Sequence, residues 1–147
     1  MKDLVLQGGQ KIQTKKRERS KMSDLTDNKE LMDTFYEETQ RLIDEMRKLL
    51  SDESRIANHE QRAIHELFLR AHTIKGNSGS VGFDKLEEIA QALEKIFKAG
   101  GDEKFEINTN VIPLLSEAIA ACQKLLRKEK VVNYKELLER LNSILHL

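Results

Sequence analysis

The chain has 147 residues, with 25 Lys and Arg against 25 Asp and Glu, one Cys and one Pro, and 39% of its residues are hydrophobic, which suits one domain with a modest core. The lone Cys122 excludes an internal disulfide and any multi-cysteine zinc site, and zero formal net charge argues against nucleic-acid binding through a basic face. No stretch approaches the roughly 18 consecutive apolar residues of a membrane span, and the first twenty residues lack the apolar block of a secretion signal, so no membrane partner and a cytoplasmic location are expected.

Residues 1–21 carry seven basic side chains against Asp3 and Glu18, a net +5, with Gly8-Gly9 and no sustained periodicity. The stretch 1–26 therefore reads as a basic, disordered tail or linker, and 27–147 as the folded domain. From Asp27 the apolar residues recur at helical spacing. Leu31, Phe35, Thr39, Leu42, Met46 and Leu49, flanked by Met32, Tyr36, Ile43 and Leu50, form a first stripe. Ile64, Leu67, Phe68, Ala71 and Ile74 form a second, and Leu86, Ile89, Ala90, Leu93, Ile96 and Phe97 a third. The fourth runs from Val111 through Leu115, Ile119 and Cys122 to Leu126, and the fifth from Tyr134 through Leu137, Leu141 and Ile144 to Leu145. Strand-like alternation is absent from the sequence.

Helix ends are marked as well. Asn58 with Gln61, Asp84 with Glu87, and Asn133 with Glu136 have capping-box spacing. Gly100-Gly101 predicts a left-handed stop to the third helix, and Pro113 falls in the first turn of the fourth, where its missing donor costs little. Five amphipathic helices on short loops can bury their stripes only against one another. The expected fold is all-α, an antiparallel four-helix bundle with an additional C-terminal fifth helix.

On the second helix, at 100° per residue from Ile64, the apolar stripe centres near ~340° and His72 falls at about 80°, on the border between core and solvent. Gly76 and Gly79 lie on the same border. Glycine inside a helix costs on the order of 1 kcal/mol against alanine, so two on one edge ask for a reason. A helical side chain leans toward the N-terminus, so residue 76 would ordinarily cover the surface over residue 72; glycine leaves it bare. Lys75 is placed to bring an ammonium to the same spot. On the third helix Glu94 occupies the equivalent border position, from which a carboxylate can accept the Nδ1 proton of His72 and leave Nε2 with its lone pair free. Attack on a phosphoryl group requires such a neutral imidazole, aimed in line.

The run from His72 through Lys75, Gly76, Asn77, Ser78, Gly79 and Ser80 to Gly82-Phe83, preceded by Leu69-Arg70-Ala71, resembles the histidine phosphotransfer (HPt) domains, in particular those at the N-terminus of chemotaxis histidine kinases (CheA type). The similarity extends to Glu94, to the segment from Phe105 to Leu115 and to a fifth helix, over about residues 28–147. The resemblance implies a phosphocarrier of two-component signalling. His72 would accept the γ-phosphoryl of ATP from the ATP-binding domain of a histidine kinase and pass it to an aspartate of a response regulator receiver domain. Lys75 and Glu94 would support it, and Gly76, Gly79 and Gln91 would form the accessible docking face. Two positions depart from the family pattern: Gln91 stands where the chemotaxis type often carries a second histidine, and Asn77 where glycine is common.

Competing readings are weaker. His65 and His72 are separated by about 10.5 Å along a helix axis, too far to share an ion, and His59 and His146 have no partners at ligand spacing. The glycine run follows Lys75 rather than preceding it and no strand leads in, so it is not a nucleotide loop. No Ser-His-Asp or Cys-His pair presents itself, and Cys122 sits on a core stripe as a small apolar residue. The expectation is a monomeric phosphocarrier without its own ATP site, cofactor or metal, since 147 residues leave no room for an ATP-binding domain. It would stand alone or form part of a chemotaxis-type kinase. The alternative is an interaction module that binds and inhibits a kinase or regulator without transfer.

Overall fold

The computed structural model describes residues 21–52, 56, 58 and 60–146, with side chains from residue 28 onward; most of the basic stretch lies outside them. Among the described residues every regular element is helical: α1 (Lys21–Ser51), α2 (Gln61–Val81), α3 (Asp84–Gly101), α4 (Ile112–Leu126) and α5 (Tyr134–Ser143), closed by a 3₁₀ turn over Ile144–His146. Helix α1 passes out of one compact unit, which ends at Thr34, into a second that begins at Phe35 and holds the bundle. In the first unit the described part is a continuous helix from Lys21, six residues before the expected start at Asp27. No Gly or Pro interrupts Lys21–Thr26, so the backbone ladder extends past the apolar stripe that would otherwise mark its beginning.

Within the bundle the stripes turn inward as the periodicity requires. Phe35, Leu42, Ile43, Met46 and Leu50 of α1, Ile64, Leu67 and Ile74 of α2, Leu86, Ile89, Leu93, Ile96 and Phe97 of α3, and Leu115, Ile119 and Cys122 of α4 are all buried. Burial pushes the Cys122 thiol up to about 12, which keeps it protonated and inert. Two expected members of the stripes stay outside, Leu31 in the first unit and Leu145 beyond α5.

Polar pairs fix the neighbours and their register. Helices α1 and α2 run antiparallel, with Glu45 bound to Arg70 at 2.9 Å and Glu38 to Asn77 at 2.5 Å. Helices α2 and α3 are antiparallel as well, since Lys75 meets Glu94, and Gly79 faces Glu87. Gln40 of α1 and Gln123 of α4 exchange amide hydrogen bonds of 2.6 and 2.7 Å, which closes the ring of four. Helix α5 lies on the outside against α3 and α4. The Tyr134 hydroxyl donates to Glu88, while Asn133 and Arg140 reach Glu117 at 3.0 and 3.1 Å. Burial first, and then the Glu88 carboxylate, raise the Tyr134 phenol above its ordinary value, so it remains a donor.

The helix ends follow a different logic from the capping boxes. Helix α2 is capped at Glu60, not Asn58. Helix α3 is capped at Phe83, with Asp84 already inside its first turn, because the Phe83 ring packs on Phe35 and Tyr36 at 5.0 and 6.0 Å and so sets where the chain turns. Asn133 holds the N-cap position of α5 but makes no side-chain cap bond, and its Nδ2 donates to Glu117 instead. At the other ends, α3 does end at Gly101, but neither Gly100 nor Gly101 takes the left-handed conformation. A Cβ at Gly100 would lie 2.7 Å from Ile107 Cδ1, so this glycine admits the buried Ile107, and the left-handed residue is Glu103, with φ 59°. The corresponding stop of α2 is Gly82, with φ 81° and the amide of Phe83 bonded to the Ser78 carbonyl at 2.9 Å.

A Cβ at Gly82 would meet nothing, so Gly82→Ala tests backbone strain alone. It is expected to cost about 1–2 kcal/mol, read as a lower midpoint in urea unfolding with an unchanged slope.

Candidate phosphotransfer site

His72 lies midway along α2 on its border with α3, and its side chain is 59% exposed. Ala71 and Ile74 on either side are fully buried, so the helix cannot roll without taking apolar area out of the core. The position of the imidazole is thereby inherited from the packing of the stripe. Across the interface stands Glu94, whose side chain is only 12% exposed. Its Oε2 meets His72 Nδ1, and its Oε1 accepts from Lys75 Nζ at 2.7 Å. One carboxylate therefore joins both α2 residues singled out in the sequence.

The electrostatics of this trio settle the tautomer. Burial works against the charge on Glu94, but hydrogen bonds from Lys75 and His72, together with their positive charge, outweigh it and hold the carboxyl below its usual range. At neutral pH Glu94 is ionised and can only accept, so the hydrogen lies on Nδ1 of His72. In the neutral ring the remaining lone pair then sits on Nε2, the atom away from Glu94.

Around the imidazole the surface is open on the side of Gly76. Gly76, one turn on, has nothing within 4 Å of where a Cβ would stand. Gly79 is also exposed, but the end of the Glu87 side chain lies 2.7 Å from where its Cβ would stand, so a methyl there would displace that carboxylate. Gln91 is exposed and forms no described bond to the trio. Asn77 turns away from His72 and ties α2 to Glu38 of α1, a use that a glycine there lacks.

One contributor was not singled out by sequence reasoning. The Phe68 ring stacks beside the His72 imidazole, with centroids 5.9 Å apart and planes 21° from parallel. The signal was present, because residues four apart on a helix share a face, but Phe68 also fits the core stripe and was read as such. Among the described residues no group of three or more His, Cys, Asp or Glu is arranged to hold a metal ion, and no helix is long and apolar enough to cross a membrane.

Residues 30–146 match the Hpt domain family. The chain belongs to that family, the phosphotransfer domains of phosphorelays. It is similar to chemotaxis protein CheA of Borreliella burgdorferi, at 31% identity over 100 residues covering 68% of this chain and 12% of that protein. CheA of Salmonella typhimurium is 31% identical over 57% of the chain and 12% of its own length, and CheA of Treponema pallidum 28% identical over 71% and 13%. The chain thus spans about one eighth of the length of these relatives, and the match is to an Hpt region.

The depressed carboxyl of Glu94 makes a pH-dependent contribution to folding. A group whose pKa falls on folding stabilises above its unfolded value, and that stability is lost as pH drops through the folded value. The stability gap between wild type and Glu94→Gln is expected to be full at neutral pH and to close on acidification below the ordinary carboxylate range, as measured by urea unfolding at a series of pH values.

Proposed function

We propose that His72 is the phosphoacceptor of this Hpt domain, taking the γ-phosphoryl group of ATP from the ATP-binding domain of a histidine kinase and yielding it to an aspartate of a response regulator receiver domain. The observation that carries this reading is the exposed imidazole with Nδ1 bound to the half-buried Glu94 and Nε2 free. The Nε2 lone pair attacks the γ-phosphorus; a P–N bond forms, the bridging P–O bond breaks, and ADP departs with the electron pair. The imidazole gains positive charge as it attacks, and Glu94, already paired to Nδ1–H, stabilises that charge without having to move. Lys75 supplies a second positive group beside the incoming phosphoryl oxygens. Transfer onward reverses the geometry: the receiver's carboxylate attacks phosphorus and the neutral imidazole leaves.

The helix face offers a nucleophile and its orientation but no nucleotide site, so the kinase supplies ATP binding and the receiver its own acceptor chemistry. In this role the domain is a substrate and donor, a phosphocarrier rather than an enzyme, and acts in the aqueous compartment that its partners share. Gly76 forms the centre of the docking face, where both partners approach the same bare patch in turn.

Incubation with a chemotaxis kinase's ATP-binding domain and γ-labelled ATP is expected to give acid-labile, base-stable label on the chain. His72→Gln abolishes it, and Glu94→Gln slows it on the order of 10²-fold. Tight binding without label, or label that survives His72→Gln, overturns the reading. Gly76→Ala separates stability from transfer: removing a helical glycine with open space around it stabilises by about 0.5–1 kcal/mol, while the added methyl slows phosphorylation by covering the approach to Nε2. Thermal unfolding and initial labelling rates measure the two effects.

A further inference from the structure

A hydrogen bond to Nδ1 does not by itself aim Nε2. The terminal torsion of histidine is broad, and a single hydrogen bond tolerates a range of lengths and angles, so the Glu94 contact alone lets the ring rock about its side-chain torsions. The Nε2 lone pair lies in the ring plane, so any swing turns it away from the phosphorus. What the Glu94 contact leaves free must be restrained from the side. Phe68 provides that restraint: its ring is tilted only 21° from the imidazole at a centroid distance of 5.9 Å, within the range of offset stacking. The ring is itself backed on its other neighbour along the helix by His65, at 6.1 Å and 22°. The three rings of residues 65, 68 and 72 form a ladder along the open edge of α2, and Phe68 is half-buried while the two histidines are exposed.

We propose that Phe68 is a positioning residue for phosphoryl transfer, holding the plane of the His72 imidazole so that Nε2 points in line at the donor phosphorus. The proposal rests on His72 being the phosphoacceptor. It gives Phe68 a role beyond filling space: Glu94 sets which nitrogen is free, and the stacked ring sets where that nitrogen points. A misdirected nucleophile loses rate only where the donor is itself held in one orientation, because two fixed groups must then coincide.

That distinction supplies the test. In Phe68→Leu, which keeps the apolar volume but removes the flat face, the rate of phosphorylation by a kinase ATP-binding domain is expected to fall about three- to tenfold at saturating kinase. Phosphorylation by the small donor phosphoramidate, which approaches from any direction, changes less than twofold. Phe68→Tyr keeps the ring and restores the kinase-catalysed rate. An unchanged kinase rate in Phe68→Leu, or an equal loss with both donors, overturns the proposal, the second because it signals a general loss of structure or nucleophilicity. Independently of any variant, nuclear Overhauser contacts between the Phe68 and His72 rings are expected in the unmodified chain, and their absence overturns it as well. Wild type that takes no label from either donor defeats the assignment of His72 itself, an outcome distinct from a labelled wild type with an indifferent Phe68.

Discussion

The site depends on one carboxylate divided between two helix neighbours. Glu94 receives Nδ1 of His72 on one oxygen and Nζ of Lys75 on the other. It is mostly withdrawn from water, as Lys75 is to a lesser degree, while His72 is exposed, so Glu94 is a fixed electrostatic anchor beneath the imidazole. The energetic balance at Glu94 is a contest in which burial opposes ionisation and the two cationic or donating neighbours prevail. Removing either neighbour would shift that balance, so the three residues form a unit and not a histidine with optional helpers.

The rest of the bundle holds this unit in place. Residues 72 and 75 are on α2 and residue 94 is on α3, so their meeting depends on the antiparallel register of those helices. Away from the site the two helices are packed through their buried stripes, and Gly100 leaves room for Ile107 and Ile64 at one end. From behind, α1 holds α2 through Glu45 with Arg70 and Glu38 with Asn77. A domain that presents a nucleophile on an open face has no pocket walls to orient it. Orientation has to come from the stiffness of packed helices and from contacts made within the same surface, and His72 makes such contacts with Glu94 and Phe68.

Much of this was legible in the linear sequence because helical periodicity is local. Spacing alone located five helices, put His72, Lys75 and Gly76 on the edge of one and Glu94 on the edge of another, and assigned Cys122 to the core. The helix ends were less legible, because a capping box names a possible local bond while a distant partner can claim the same side chain. Asn133 is taken by Glu117, and the start of α3 is dictated by Phe83 docking on α1. Gly100 shows the same limit: it looks like a statement about its own backbone, and it answers to the side chain of Ile107 from another segment.

The sequence by itself therefore determined the helical class, the core faces and the placing of His72, Lys75 and Gly76 on one edge of a helix, since all of these follow from residue spacing along one helix. Only the tertiary structure decided that Glu94 reaches Nδ1, that the same carboxylate binds Lys75, and that the Phe68 ring stacks offset beside the imidazole instead of vanishing into the core. The physical reason is that period and pattern specify which side of a helix a residue occupies, whereas the register between helices and the rotamers of side chains at their border are set by packing over the whole bundle.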